Sequence, residues 1–186
     1  MKRLFAAVHV SPSKEFRELF SSLQTGLRFA DIKWVSPENI HITLKFFGET
    51  FEDRIPDISR VLKAVGQGHS PFKFTIADTG IFGSSYNPRV VWFGIRNPEP
   101  LTALAQDVLK DVESIGWERD RQNFVPHITL GRVKDAKDKR LFQKMIDEHK
   151  KAFIQEVSVT EFRLYESILQ PRGPVYSILE RYTLKA

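Results

Sequence analysis

The chain has 186 residues, of which 41% are hydrophobic and 27% charged, and it is long enough to bury one full core. It contains no cysteine, which excludes disulfides, thiolate metal ligands and cysteine nucleophiles. A net charge of +5 is compatible with a polyanionic partner but does not require one.

The N-terminal segment MKRLFAAVHV has a basic start and a short apolar run, a pattern shared by signal peptides and buried strands. His9 interrupts the run and no small-residue cleavage site follows, which favours a strand over residues 3–10. No stretch approaches the ~18 apolar residues that a membrane-spanning helix needs. We therefore expect a cytoplasmic protein without a membrane partner.

Hydrophobic periodicity then predicts strands alternating with helices. A proline opens most of the predicted helices, and Gly, Ser and Asn mark the loop between residues 82 and 89. The predicted elements are a helix from Pro12, strands at 32–36 and 39–47, a helix at 55–65, strands at 72–82 and 89–96, a helix after Pro98, a strand around residue 127, a helix at about 137–151, and strand-like stretches at 153–169 and 174–184.

The tetrapeptide His-Ile-Thr-Leu occurs twice, beginning at His41 and at His127, which are 127 − 41 = 86 positions apart. The same offset brings the first strand onto residues 90–96 and Pro12 onto Pro98. Each half follows the order strand, helix, His-Ile-Thr-Leu strand, helix, strand. We therefore expect an α+β fold of two similar lobes, each a mainly antiparallel sheet with outer helices, flanking a central cleft.

The repeated motif places polar and apolar side chains on opposite faces of its strand. Successive strand residues alternate, so His41 shares a face with Thr43, and His127 shares a face with Thr129. A single histidine in such a strand is usually structural, and duplication alone could preserve that role. Two copies in matching positions instead favour a site shared between the lobes.

The residue types favour acid–base chemistry over other classes. Neither motif has the neighbouring ligands of a metal site, and the chain has no G-x-S-x-G or G-x-x-x-x-G-K. Imidazole has an unperturbed pKa of about 6.5, so one histidine can accept a proton from water while the other donates one to a leaving oxygen. Threonine hydroxyls can donate to phosphate oxygens. The pattern predicts metal-independent phosphoryl chemistry on a strained cyclic phosphodiester, without distinguishing acid from base.

Four longer stretches carry a family resemblance: WVSPENIHITLKFFGE, GIFGSSYNPRVVWFGI, FVPHITLGRV and LYESILQPRGPVYSILERYTL. In this order they resemble the bacterial and archaeal RNA 2′,3′-cyclic phosphodiesterases of the two-histidine (2H, LigT-like) phosphoesterase superfamily. The resemblance implies one domain over residues 1–186, made of two pseudo-symmetric lobes with interleaved boundaries. It also implies hydrolysis of a terminal ribose 2′,3′-cyclic phosphate to a 2′-phosphate, with no cofactor and no metal.

The resemblance also implies roles for individual residues. His41 would donate a proton to the departing 3′ oxygen, and His127 would be the base that activates water. Thr43 and Thr129 would hold the phosphate.

Phe46 and Arg132, each five positions beyond its histidine, match family positions near the base and the phosphate. Strand alternation places both on the face opposite the histidines, so a strand end or a twist is needed to bring them to the cleft. Phe46 as a core residue and Arg132 as a surface cation are the alternatives.

The expected partner is RNA with a 2′,3′-cyclic phosphate terminus, with tRNA fragments and small cyclic nucleotides as candidate substrates, and we expect a monomer. Two other functions stay open: 2′-5′ RNA ligation, in which an RNA 5′-hydroxyl replaces water, and non-catalytic binding of RNA ends. No nucleotide-binding motif supplies energy for ligation, which favours hydrolysis.

Other aromatic and histidine residues have weaker cases. Trp34, Tyr86 and Trp92 could stack on bases, although packing is the more common role for each of them. The remaining histidines, at positions 9, 69 and 149, are not expected to take part in the chemistry.

Overall fold

A computed structural model describes residues 1–118, 123–171 and 173–185. Nine strands and four α-helices run through these residues, and short 3₁₀ turns precede β3 and α2. In chain order the elements are β1 (Lys2–His9), α1 (Lys14–Gly26), β2 (Asp31–Trp34), β3 (His41–Thr50), α2 (Ile55–Gln67), β4 (Phe72–Ser84), β5 (Asn87–Arg96), α3 (Glu99–Glu113), β6 (His127–Asp135), α4 (Lys139–Glu148), β7 (Gln155–Val159), β8 (Glu161–Gln170) and β9 (Gly173–Thr183).

The strands form two antiparallel sheets. The first sheet has the order β3-β1-β8-β9, and the second has the order β2-β6-β5-β4-β7. The 86-residue offset relates β1 to β5 and β3 to β6, and each His-Ile-Thr-Leu strand lies beside the partner that this offset requires. The predicted α+β class with two mainly antiparallel sheets is confirmed.

Two of the helices, α1 and α3, contact the sheet opposite to that of the strand before them. Helix α1 begins at Ser13, whose hydroxyl accepts a hydrogen bond from the amide of Phe16. Although α1 follows a strand of the first sheet, it packs on the second, where the Phe16 and Phe93 rings are 5.0 Å apart. Helix α3 follows the second sheet and contacts β3 of the first. The two lobes therefore share one continuous core.

The stretch predicted as a single strand at 153–169 is instead two strands. Strand β7 pairs with β4 in the second sheet, and β8 pairs with β1 in the first. Between them, the carbonyl of Thr160 accepts a hydrogen bond from the amide of Leu184. The chain thus changes sheets at this residue. The alternation of buried residues changes phase at this point, from Val157 and Val159 in β7 to Phe162 and Leu164 in β8.

The first sheet buries apolar residues on both faces. One face contributes to the main core under the helices. The opposite face carries a separate small cluster of Phe5, Ala7 and Tyr165, with Tyr176 packed against it. Among the residues described above, none of the helices has both the length and the apolar character needed to span a membrane.

Candidate active site

A β-bulge lies within the first His-Ile-Thr-Leu strand. Thr43 pairs with Ala7 and Lys45 with Ala6, so Leu44 is an extra residue in β3. Such a bulge interrupts the alternation of side chains, because two successive residues oppose one residue of the partner strand. Residues beyond Leu44 therefore exchange faces relative to a regular strand.

The second copy of the motif has the same bulge. Thr129 pairs with Trp92 and Gly131 with Val91, so the extra residue in β6 is the leucine that ends the motif, 86 positions after Leu44. The irregularity therefore belongs to the repeat itself.

The bulge brings Phe46 to the histidine face of β3. Phe46 pairs with Phe5, whose ring centroid is 5.0 Å from that of His41. The Phe46 ring is 44% exposed, and the guanidinium of Arg3 lies 4.8 Å from its centroid. The prediction that alternation places Phe46 on the face opposite the histidines is therefore wrong. The alternative that Phe46 is a core residue is wrong as well.

The bulge in β6 brings Arg132 to the histidine face of that strand. Its side chain is exposed, and its positive charge lowers the pKa of His127. Arg132 also opposes the rise that burial causes in the pKa of Tyr176, which lies on β9 of the first sheet. Arg132 thus faces a space between the sheets, and the expectation from alternation is wrong here too.

The two histidines are oriented in the same way. The Nδ1 atom of His41 lies 2.6 Å from the carbonyl oxygen of Asn39, and that of His127 lies 2.7 Å from the carbonyl oxygen of Val125. In the neutral ring, Nδ1–H donates to the carbonyl and Nε2 is left as the acceptor. The Nε2 atom of His41 is 3.1 Å from the Thr43 hydroxyl, on the face that the two side chains share.

Burial lowers the pKa of both histidines below the usual value. The carbonyl hydrogen bonds oppose this shift by stabilising the protonated rings. The charge of His127 further lowers the pKa of His41, so the two rings are close enough to interact. A bound anion would favour protonation of both.

Aromatic side chains hold the histidine rings in place. His41 contacts Phe5, and its ring meets Tyr176 edge-on at 5.4 Å. His127 meets Phe82 edge-on at 4.6 Å. These three residues were not predicted, because the sequence does not show that side chains of β1, β9 and β4 reach the histidine rings.

The three aromatic residues considered for base stacking lie in different places. Trp92 is opposite Thr129, and its indole covers Gly80, where any Cβ would collide with the ring. Trp34 packs edge-on against Phe20, which gives it a structural role. Tyr86 is 78% exposed at the β4–β5 turn.

Among the other histidines, His9 lies beside the site. It pairs directly with His41, and both line a cavity of about 130 Å³ that Arg163 and Tyr176 also border. His69 contacts Asp107 instead. The sequence contained no signal for His9, because its proximity to His41 arises from the pairing of β1 with β3.

No group of three His, Cys, Asp or Glu side chains is arranged to hold a metal ion within residues 1–118, 123–171 and 173–185.

A duplicated α+β fold that carries one His-x-Thr pair in each of its two sheets is typical of a two-histidine phosphoesterase. The chain belongs to the 2′-5′ RNA ligase superfamily, whose family model matches residues 12–169. A relative from Methanothermobacter thermautotrophicus, an RNA 2′,3′-cyclic phosphodiesterase, is 34% identical over 184 residues, with 98% of each chain covered.

Two solved structures show the same fold. TT0787 of Thermus thermophilus is 31% identical with a TM-score of 0.77, and the match covers 98% of both chains. E. coli LigT complexed with 3′-AMP is 26% identical with a TM-score of 0.76, and the match covers 100% of this chain and 99% of that one. These findings confirm the resemblance drawn from the sequence and identify the chain as an enzyme of the hydrolase class.

Proposed function

We propose that this enzyme hydrolyses the 2′,3′-cyclic phosphate at the end of an RNA to a 2′-phosphate, through a two-histidine mechanism that needs no metal. The single observation that carries the proposal is the matched geometry of His41 and His127. Each ring is anchored through Nδ1 to a carbonyl, and a threonine two residues later lies on the same face of the strand. Such a pair can accept and donate protons on opposite sides of one phosphorus atom.

In the proposed reaction, the oxygen of a water molecule attacks phosphorus while His127 Nε2 takes the water proton. The bond from phosphorus to the 3′ oxygen breaks, and the proton on His41 Nε2 passes to that oxygen. The product carries a 2′-phosphate and a free 3′-hydroxyl. Proton exchange with solvent then restores both histidines. The choice of His41 as acid follows the family resemblance, since the two halves are alike.

The other residues of the site would stabilise the charged phosphate. Thr43 and Thr129 would donate hydrogen bonds to non-bridging oxygens, which gain charge as the bond to water forms. Arg132 would supply a guanidinium that can contact phosphate through two N–H groups. Phe46, with its exposed ring, would contact the base.

The relatives support RNA as the substrate. The relative described above is named as an RNA 2′,3′-cyclic phosphodiesterase, and LigT was solved with 3′-AMP, a nucleotide. A 2′,3′-cyclic phosphate also requires the ribose 2′-hydroxyl, so the reaction itself selects RNA over DNA. Ends of tRNA fragments and small cyclic nucleotides are candidate substrates.

The site is complete within one chain, because one polypeptide supplies both histidines. We therefore infer that the enzyme acts as a monomer and, given an RNA substrate, that it acts in the cytoplasm. Sedimentation at catalytic concentrations would test the first inference, because a stable dimer would contradict it.

The decisive test is to incubate the enzyme with an RNA ending in 2′,3′-cyclic phosphate, in the presence of EDTA, and to identify the product by ³¹P NMR. We expect a 2′-phosphate. Loss of activity with EDTA would indicate a metal mechanism. A 3′-phosphate product would show that the bond from phosphorus to the 2′ oxygen breaks instead. Binding without turnover would indicate an RNA-end-binding protein. An added RNA with a 5′-hydroxyl tests ligation, which would yield a longer product.

A further inference from the structure

A second basic group lies next to the candidate active site. His9 is the cross-strand partner of His41, and Arg163 on β8 pairs with Ala7 on the other side of β1. Directly paired residues share a face of the sheet. His9 and Arg163 therefore lie on the face that carries His41, His9 one strand spacing of about 5 Å away and Arg163 two strand spacings, about 10 Å, away.

The same two residues border two adjoining cavities. The cavity of about 130 Å³ contains His41 and Asn39 in its wall. The second, of about 320 Å³, extends from His9 and Arg163 toward Ser11 and Thr160. A ligand whose phosphate lies at His41 could thus continue past His9 and Arg163 along a path lined by protein.

Ion pairs hold the Arg163 side chain in place. The Nε of Arg163 lies 2.6 Å from Glu161 Oε1, and Nη1 of Arg181 lies 2.7 Å from the same oxygen. Glu161 thus holds the Arg163 guanidinium in a fixed position, while Glu156 and Glu38 line other parts of the two cavities. Burial and the charges of both arginines lower the pKa of His9, and an anion bound beside the ring would favour its protonated form.

Arg163 also has donors to spare. Its Nε donates to Glu161 and its Nη1 to the Tyr165 hydroxyl, 3.3 Å away. A guanidinium has five N–H donors, so three are left beyond these contacts with the described part of the chain. These two contacts orient the planar group, which favours binding of phosphate oxygens.

We propose that His9 and Arg163 form a second phosphate subsite, which binds the phosphodiester on the 5′ side of the terminal nucleotide. This inference rests on the proposed function, because the cyclic phosphate must lie at His41. A 3′-terminal cyclic phosphate has its chain only on the 5′ side, so the next backbone phosphate is the one that can reach the subsite. The enzyme therefore has a higher kcat/KM for the ends of polynucleotides than for cyclic mononucleosides.

The test compares kcat/KM for a nucleoside 2′,3′-cyclic phosphate with that for a dinucleotide ending in the same cyclic nucleotide. We expect the dinucleotide to be at least about tenfold better, since a charged hydrogen bond contributes about 1.5–3 kcal/mol. Arg163→Gln should remove most of that advantage and leave the mononucleoside within about twofold of its original value. His9→Gln should act in the same direction with a smaller effect.

Arg60→Gln is the matched control, because Arg60 forms an exposed ion pair with Asp57 on α2, and neither residue borders either cavity. Arg60→Gln should leave kcat/KM for both substrates unchanged. Equal kcat/KM for the two substrates in the unaltered enzyme would overturn the subsite. So would an equal loss for both substrates in Arg163→Gln, which would indicate a structural role.

Binding separates failure of the subsite from failure of the proposed function. If no cyclic phosphate is hydrolysed, the proposed function fails, and the subsite is then judged by fluorescence anisotropy with a dinucleotide that ends in a 2′-phosphate. Weaker binding by Arg163→Gln than by Arg60→Gln would support the subsite. Equal binding would overturn it.

Discussion

The two His-Ile-Thr-Leu half-sites share their backbone but differ in their surroundings. Both histidines donate from Nδ1 to a carbonyl two residues earlier, and both strands bulge at the leucine that ends the motif. Beyond the bulge, the first strand presents Phe46 and the second presents Arg132. The duplicated backbone therefore supplies symmetric proton chemistry, while single side chains set what each half contributes to substrate binding.

The neighbouring strands increase this difference. His41 has another histidine, His9, opposite it, whereas His127 faces Gly94. A glycine provides no side chain, so the second half-site has no counterpart of His9 opposite its histidine. The first half-site is thus the one suited to receive the rest of a nucleic acid chain.

The largest effect should come from removing either histidine, which tests whether the halves are equally needed. His41→Ala and His127→Ala should each lower kcat by about 10²–10⁴-fold, the usual contribution of a positioned acid or base. Turnover of the cyclic phosphate is the measurement. His69→Ala is the control, because His69 contacts Asp107 away from the cleft. Activity within tenfold of the original in either variant would refute the paired mechanism.

The next effect tests the two residues that follow the bulges. Arg132→Gln should lower kcat/KM by about 10–100-fold, because a charge-assisted hydrogen bond to phosphate contributes about 1.5–3 kcal/mol. Phe46→Leu removes a contact to the base, so it should mainly raise KM. This increase should be smaller than the change in kcat/KM caused by Arg132→Gln. A purely structural Arg132 would instead be revealed by reduced thermal stability with unchanged kinetics.

The pH profile should also separate the halves. Burial lowers the pKa of both histidines, so kcat/KM should follow a bell with its optimum below about pH 6.5. Arg132 lowers the pKa of His127. Arg132→Gln should therefore raise that pKa and move the acid limb to higher pH, while the alkaline limb of His41 stays in place. Phe46→Leu should move neither limb. A shift of the alkaline limb alone in Arg132→Gln would show that His127 is the acid and His41 the base.

The smallest effect concerns stability. His9, His41 and His127 all have lowered pKa values in the folded protein, so the unfolded chain binds protons more readily. The free energy of unfolding should then be constant above about pH 6.5 and fall as the pH decreases below it. Urea unfolding at several pH values would measure this, and replacing all three histidines by glutamine should flatten the slope. An unchanged slope would show that other groups cause it.

Much of the fold was predictable from local pattern. The order of elements, the two-sheet α+β class and the pairing of each histidine with a threonine on one face all follow from periodicity and from the repeated offset. Helix α4 shows the limit of such patterns. Its apolar residue Leu141 is 37% exposed, while Phe142 and Ile146 are buried.

The site was predictable only where it depends on a regular strand. His41 and Thr43 share a face because alternation is a property of the strand itself. Phe46 and Arg132 reach that face through bulges, and a bulge is a property of two paired strands, so no reading of one strand reveals it. His9, Arg163 and Tyr176 come from three other strands, and their approach to His41 exists only once the sheet has formed. The sequence thus specifies the reacting groups, whereas pairing between distant segments specifies what surrounds them.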